Sequence, residues 1–123
     1  MKTKLKLLIA TLLGAMALFI GSFTFVSAAK PPIEGNIANG KQRYLALCVS
    51  CHGAKGHGDG IAANALQNQP ANIARKINKP FKTPTQIANK VLAGKLDEGM
   101  PAFKGVLTEK DALDILAYVQ SIQ

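Results

Sequence analysis

One short segment, Cys48-Val49-Ser50-Cys51-His52, constrains the fold of this chain more than any other. Two thiols three residues apart, followed directly by an imidazole, form the attachment signature of c-type haem. The thiols can add to the two haem vinyl groups as thioethers, and the short spacing leaves the imidazole beside the iron as an axial ligand. The segment therefore predicts a domain that folds around one covalently attached haem c.

Two other kinds of site use the same residue types. A thioredoxin-like dithiol would open a helix after a strand, whereas Cys48 and Cys51 close a helical pattern with no strand-rich stretch around them. A zinc site made from Cys48, Cys51 and His57 would need a fourth ligand. The remaining imidazole, that of His52, directly follows Cys51 and would strain a tetrahedral arrangement. Both alternatives fit the sequence less well than haem attachment.

The N-terminus has the pattern of an export signal. Lys2, Lys4 and Lys6 precede residues 7–26, which carry no charge, and Ser27-Ala28-Ala29 offers cleavage after Ala28 or Ala29. This pattern predicts a signal peptide over residues 1–28 and a periplasmic or otherwise exported location. An uncharged stretch of about 20 residues can also span a bilayer, so an uncleaved anchor facing outside the cytoplasm is the alternative.

The remainder has the size of one small domain. We expect residues 29–35, which include Pro31 and Pro32, to form a linker, and residues 36–123 to form the domain. A chain of this length builds only a limited apolar core, and a buried macrocycle would add apolar volume to it.

Four helical segments are predicted in this domain. Asn36 can cap the first, whose apolar face leads into Cys48, and a short piece follows at residues 61–66. Thr83-Pro84-Thr85-Gln86 has the features of a capping box with proline in the first turn, and Gly94 ends that segment. Thr108 begins the last segment, whose apolar side consists of Ala112, Ile115, Leu116, Val119 and Ile122. The pattern predicts an all-α domain with long loops.

The iron needs either a second axial ligand, which suits electron transfer, or an open position, which suits catalysis or gas binding. Met100 is the one methionine after the predicted signal peptide, and it stands between Gly99 and Pro101, which suit a tight, stiff loop. His57 competes for this role. It follows His52 by five residues, a path of at most about 18 Å around the macrocycle. The spacing favours Met100.

The charge balance points to the class of partner. Twelve basic and seven acidic residues follow residue 28, and Arg75, Lys76, Lys79 and Lys82 concentrate four positive charges. This segment is either a solvated loop or a docking patch for an acidic partner or an anionic membrane surface. Nucleic acid is not expected as a partner, because the chain after the signal has few aromatic side chains for stacking and the basic segment, with Pro80 and Pro84, does not read as a basic helix.

From residue 36 to residue 122 the chain resembles the class I cytochromes c. The resemblance rests on Gly40 and Tyr44, the attachment segment, the loop from Gly53 to Gly60, Met100-Pro101, and residues 114–119 of the last helix. It implies a small all-α domain of three to five helices wrapped around the haem. The first and last helices would cross near the haem, where Gly40 would let the face from Ile115 to Tyr118 approach closely. It also implies that a proline carbonyl accepts a hydrogen bond from the axial histidine, and Pro70 is the candidate.

The resemblance and the ligands together predict a one-electron carrier rather than an enzyme. His52 and Met100 would ligate the iron, and redox proteins would serve as donor and acceptor in a respiratory chain, with the carrier a monomer. The alternatives are a small haem subunit of a larger periplasmic oxidoreductase or oxidase complex, and a haem sensor or peroxidase in which Met100 dissociates. The sequence contains no recognisable constellation of catalytic carboxylates, phosphate loop, or nucleophile with its base.

Overall fold

The computed structural model describes residues 1, 3, 4 and 6 and every residue from 30 to 123. The predicted signal peptide lies almost entirely outside these residues, so its cleavage and the alternative anchor both stay predictions. None of the helices in the described residues has the length and apolarity needed to cross a membrane.

Five α-helices form between Lys30 and Gln123, which confirms the predicted all-α class. They are α1 (Ile37–Leu47), α2 (Val49–His52), α3 (Ile73–Ile77), α4 (Pro84–Ala93) and α5 (Glu109–Ser121), with short 3₁₀ turns at Ala63–Ala65 and Leu96–Glu98. Over this stretch no β-strand forms, and strand-like pairing is limited to isolated bridges, Lys95 with Met100 and Lys104 with Leu107.

The three longer helices begin at the predicted caps. The Asn36 side chain accepts the N–H of Asn39 at 3.0 Å. Thr83 and Gln86 exchange hydrogen bonds of 3.2 Å in both directions, the reciprocal pattern of a capping box. A second capping box joins Thr108 and Asp111. These side chains satisfy backbone donors that the first helical turn leaves unpaired, which explains why the starts were legible in the sequence.

Helices α1 and α5 cross at Gly40. A Cβ atom at this position would lie 1.9 Å from the carbonyl oxygen of Asp114, so only glycine permits the backbones to approach so closely. The rings of Tyr44 and Tyr118 pack beside the crossing with their centroids 5.7 Å apart. The close crossing of the two helices at Gly40 is confirmed, but the backbone neighbours of Gly40 are Asp114 and Ile115, at the N-terminal edge of the predicted face from Ile115 to Tyr118.

The core lies between α5 and the other helices. Its fully buried large side chains are Tyr44, Ile77, Ile115, Leu116 and Val119. Met100 and Phe103 are partly buried against the same cluster, which also contains Cys48.

Two short helices depart from the sequence prediction. Helix α2 extends the chain by one further turn beyond α1, and α3 forms in a segment for which no helix was predicted. Asn72 caps α3 by accepting the N–H of Arg75 at 2.7 Å, and its buried side chains come from Ile73, Ala74 and Ile77. Helices of four or five residues are too short for apolar periodicity to reveal them. The piece predicted at residues 61–66 reduces to the 3₁₀ turn Ala63–Ala65.

The segment predicted as a linker lies against α5. The N–H of Ile33 donates to Gln120 Oε1 at 2.6 Å, and Gln120 Nε2 donates to the Pro31 carbonyl at 3.2 Å. One glutamine side chain thus satisfies both a donor and an acceptor of this arm. We call residues 30–35 the N-terminal arm.

Candidate haem site

The attachment segment is formed by α2 and the residue before it. Cys48 joins α1 to α2: its N–H donates to the Tyr44 carbonyl at 2.9 Å, and its carbonyl accepts the N–H of His52, also at 2.9 Å. Both cysteines are free thiols; Cys48 is buried and Cys51 half-buried. The structure therefore brings the two thiols and the imidazole together within one helical turn.

The two thiols differ in how far they are desolvated. Burial raises the pKa of Cys48 to about 11, and the neighbouring Cys51 adds to this effect.

The His52 ring is oriented by a backbone carbonyl. Its Nδ1 lies 2.9 Å from the carbonyl oxygen of Ala71. Because a carbonyl can only accept, Nδ1 carries the proton and Nε2 keeps its lone pair. Burial lowers the pKa of His52, and although the Ala71 hydrogen bond opposes this shift, the nearby Lys76 adds to it. The neutral ring is the form that ligates metals.

The acceptor of this hydrogen bond differs from the predicted Pro70 by one residue. The Pro70 carbonyl packs instead against Gly58, where a Cβ atom would lie 2.2 Å from the Pro70 oxygen. Ala71 therefore supplies the carbonyl next to His52. The path of the loop decides this register, and no local sequence signal marks Ala71.

The loop after His52 folds back onto α2. Gly58 donates its N–H to the His52 carbonyl at 2.9 Å, and Gly60 donates to the Cys51 carbonyl at 3.1 Å. Gly58 has a φ of 84°, a conformation that side-chain-bearing residues rarely adopt. From the other side, the Tyr44 hydroxyl donates to the Gly53 carbonyl at 2.6 Å. These bonds hold the attachment segment rigidly between α1 and the loop.

Met100 lies on a small hairpin that we call the Met100 hairpin, residues 95–100. Lys95 and Met100 exchange backbone hydrogen bonds of 2.9 and 3.0 Å, and Gly99 closes the turn with a φ of 81°. The following loop is fixed to the end of α4, because Phe103 and Lys104 both donate to the Leu92 carbonyl, at 3.0 and 2.9 Å. A tightly held loop thus keeps the half-buried Met100 side chain against the core.

The side chain of His57 lies beside the C-terminal residue, Gln123. It is exposed, and its Nε2 is 3.2 Å from Gln123 Oε1. Over the described residues no group of three or more histidine, cysteine or acidic side chains is arranged to hold a metal ion.

Comparison with known families gives a match over residues 35–119 to the model described as "Cytochrome C oxidase, cbb3-type, subunit III". The chain belongs to this cytochrome c family. This match confirms the resemblance to the class I c-type cytochromes. Cytochrome c domains of this kind bear haem and transfer electrons. Comparison with curated proteins gave no match.

Among solved structures, this cytochrome c domain is similar to a chain of the Kuenenia stuttgartiensis reducing HAO-like protein complex Kustc0457/Kustc0458. The two are 27% identical, with a TM-score of 0.60 over 79% of this chain and 48% of the other. The chain thus spans about half the length of that complex subunit.

A group of lysines surrounds the region between α3 and the Met100 hairpin. The pKa of Lys76 is lowered, first by desolvation and then by the ammonium groups of Lys95, Lys90 and Lys79, while Glu98 opposes the shift. We call Lys76, Lys79, Lys90 and Lys95 the Lys76 cluster. It brings together residues of α3, α4 and the Met100 hairpin. Lys76 and Lys79 are close in sequence and were predicted as one basic segment, whereas no local pattern links them to Lys90 and Lys95.

Proposed function

We propose that this cytochrome c domain is a one-electron carrier with one haem c attached through Cys48 and Cys51 and ligated by His52 and Met100. The observation that carries the proposal is the single helical turn that holds two free thiols and an oriented, neutral imidazole. When bound, the haem supplies an iron that exchanges one electron between its ferrous and ferric states.

The chain's own residues have distinct tasks in this carrier. The thiols of Cys48 and Cys51 fix the macrocycle in one orientation, and His52 presents Nε2 to the iron because the Ala71 carbonyl occupies Nδ1. This hydrogen bond also raises the basicity of the ring. The Pro70 carbonyl is not the acceptor; it packs against Gly58 in the loop that follows His52.

Met100 is proposed as the sixth ligand for two structural reasons. Its hairpin is fixed by paired backbone hydrogen bonds, so the thioether needs little reorganisation when the iron changes oxidation state. The exposed apolar side chains of Ile61, after the attachment segment, and of Leu96, on the Met100 hairpin, suit coverage by a macrocycle. Thioether ligation favours ferrous iron and raises the reduction potential.

The Lys76 cluster is the proposed docking surface for acidic redox proteins. It adjoins both proposed ligands, since Lys76 acts on His52 and Lys95 is paired through its backbone with Met100. Positive charge at this position would steer a negatively charged donor or acceptor towards the haem. The carrier would work as a monomer outside the cytoplasmic membrane, after export directed by residues 1–28.

A second candidate function is that of a small haem subunit in a larger redox complex. It is favoured by the likeness to a complex subunit of which this chain covers 48%, and by the subunit description of the matched family. A partner recovered in fixed ratio from native membranes at low salt would favour this candidate over a free shuttle. The sensor or peroxidase alternative would require an iron from which Met100 dissociates.

Covalent attachment tests the proposed function. The chain denatured in acid should retain the mass of one haem, whereas Cys48→Ala combined with Cys51→Ala should release haem under the same conditions. His57→Ala, which changes the other histidine, is the matched control and should keep the haem. Loss of haem from the wild-type chain on denaturation would overturn the proposal.

A further inference from the structure

The N-terminal arm is fixed at its first residue to one particular turn. The Lys30 ammonium donates to three backbone carbonyls, those of Ile77, Lys79 and Lys82, at 2.7, 3.1 and 2.5 Å. These carbonyls belong to the end of α3 and the turn that follows it. These three hydrogen bonds and the Gln120 contacts fix the position of the N-terminal arm on the domain.

The same turn exposes an aromatic side chain between two cations. Phe81 is 92% exposed, and the flanking Lys79 and Lys82 are exposed as well. Single exposed apolar residues are ordinary, but an exposed aromatic ring bracketed by lysines is the composition that suits a membrane interface, where the ring enters the headgroup region and the ammonium groups meet anionic lipid. We call residues 79–82 the Phe81 turn.

The position of the leader identifies the occupant of this surface. The uncharged stretch of residues 7–26 ends four residues before Lys30, a distance of at most about 14 Å along an extended chain. Once the domain has folded while that stretch is inserted in a bilayer, Lys30 lies within about 14 Å of the membrane surface, and its hydrogen bonds bring the Phe81 turn with it. A docked protein would not explain why the chain fastens its own leader junction to this turn.

We propose that the Phe81 turn is a contact surface for an anionic lipid bilayer and holds the domain in a set orientation at the membrane. This inference goes beyond electron transfer and does not depend on it. Phe81 would enter the interface, and Lys79 and Lys82 would pair with lipid phosphates. The bilayer would thus lie beside the end of α3. At the membrane, Lys79 would serve the lipid, and Lys76, Lys90 and Lys95 of the Lys76 cluster would be left for a protein partner.

The test uses holoprotein, as isolated from cells, and vesicles of phosphatidylglycerol with phosphatidylcholine or of phosphatidylcholine alone. Amine acylation read by mass spectrometry should show Lys79 and Lys82 protected by the anionic vesicles, while Lys41 and Lys104, both exposed, label as in solution. This readout works whether or not the leader has been cleaved, because it reports which face touches lipid. Protection should weaken as salt screens the attraction.

Single variants test the aromatic ring of Phe81 and the charges of Lys79 and Lys82 separately. Phe81→Ser should reduce protection or vesicle binding about tenfold, and Lys79→Gln or Lys82→Gln about fivefold each. The matched controls are Val106→Ser, another exposed apolar side chain two residues from a lysine, and Lys104→Gln. An unchanged haem spectrum shows that each variant is folded.

Two outcomes would overturn the proposal. One is equal labelling of Lys79, Lys82, Lys41 and Lys104 in the presence of anionic vesicles. The other is protection of the Phe81 turn by an acidic redox protein but not by lipid, which would make the turn part of a protein-docking surface. Neither result would bear on covalent haem attachment, so failure of this inference and failure of the proposed function are distinguishable.

Discussion

At the scale of single residues, Asp114 joins α5 to the cap and first turn of α1. Its side chain is 1% exposed, and its oxygens accept hydrogen bonds from the Asn36 N–H at 2.7 Å, Asn39 Nδ2 at 2.8 Å and Lys110 Nζ at 2.9 Å. Burial alone would raise the pKa of Asp114, but the bonds from Lys110, Asn36 and Asn39 outweigh it and hold the pKa below its ordinary value. The folded state therefore favours the ionised carboxylate.

This lowered pKa has a consequence for acid stability. The contribution of Asp114 to stability should be complete above the unfolded carboxyl pKa, about 3.9, and should be lost as the pH falls through that value towards the lower folded pKa. Asp114→Asn should reduce the free energy of unfolding of the holoprotein by about 2 kcal/mol at neutral pH and flatten its dependence on pH below about 5. Urea unfolding at a series of pH values measures both effects. Asp97→Asn, an exposed carboxylate, is the control; equal curves for wild type and Asp114→Asn would contradict the prediction.

The residues of the site differ in how far sequence can name them. Cys48, Cys51 and His52 lie within five residues in a characteristic spacing, so the sequence alone shows that they belong together. Ala71 is not, because a backbone carbonyl is common to every residue and only the path of the loop selects the acceptor. The structure shifts that role from Pro70 to Ala71 because Gly58 already packs against the Pro70 carbonyl.

At the scale of elements, predictability follows length and capping. Helices α1, α4 and α5 each have a side-chain cap and at least ten residues, so both their starts and their apolar faces were visible. Helices α2 and α3 were missed because each is at most five residues long and depends on the loop around it. The consequence is functional, since α3 carries Lys76 into the neighbourhood of α4 and the Met100 hairpin.

The Lys76 cluster should control association with anionic redox partners. Lys76→Glu combined with Lys90→Glu should slow oxidation of the ferrous protein by hexacyanoferrate(III) about tenfold at low salt, because the attraction becomes a repulsion. The rate for the wild type should fall as salt is added, and the rate for the variant should rise. Lys41→Glu combined with Lys104→Glu changes the net charge equally and serves as the control in stopped-flow measurements. Equal slowing by both pairs would mean that net charge, rather than this cluster, governs the rate.

At the scale of the whole molecule, the proposed site draws on three separate stretches of chain: α2, the loop at Ala71 and the Met100 hairpin. The sequence predicted the first and the last as separate candidates, but it did not predict the contacts that hold them, such as the backbone pairing of Met100 with Lys95. The N-terminal arm gives a similar result. Two prolines suggested a linker, whereas Lys30 and Gln120 fasten the arm through contacts 47 to 89 residues apart in sequence. Contacts over such separations leave no local pattern.

Carbon monoxide binding by the ferrous holoprotein tests the ligation by His52 and Met100, on which the carrier function depends, most directly. In the wild type the Met100 thioether should occupy the sixth position, so carbon monoxide should bind poorly at neutral pH. Met100→Ala should bind it readily and show a lower reduction potential, while His57→Ala should behave as the wild type does. If the wild type binds carbon monoxide as readily as Met100→Ala, Met100 does not hold the iron, and the sensor or peroxidase alternative replaces the carrier.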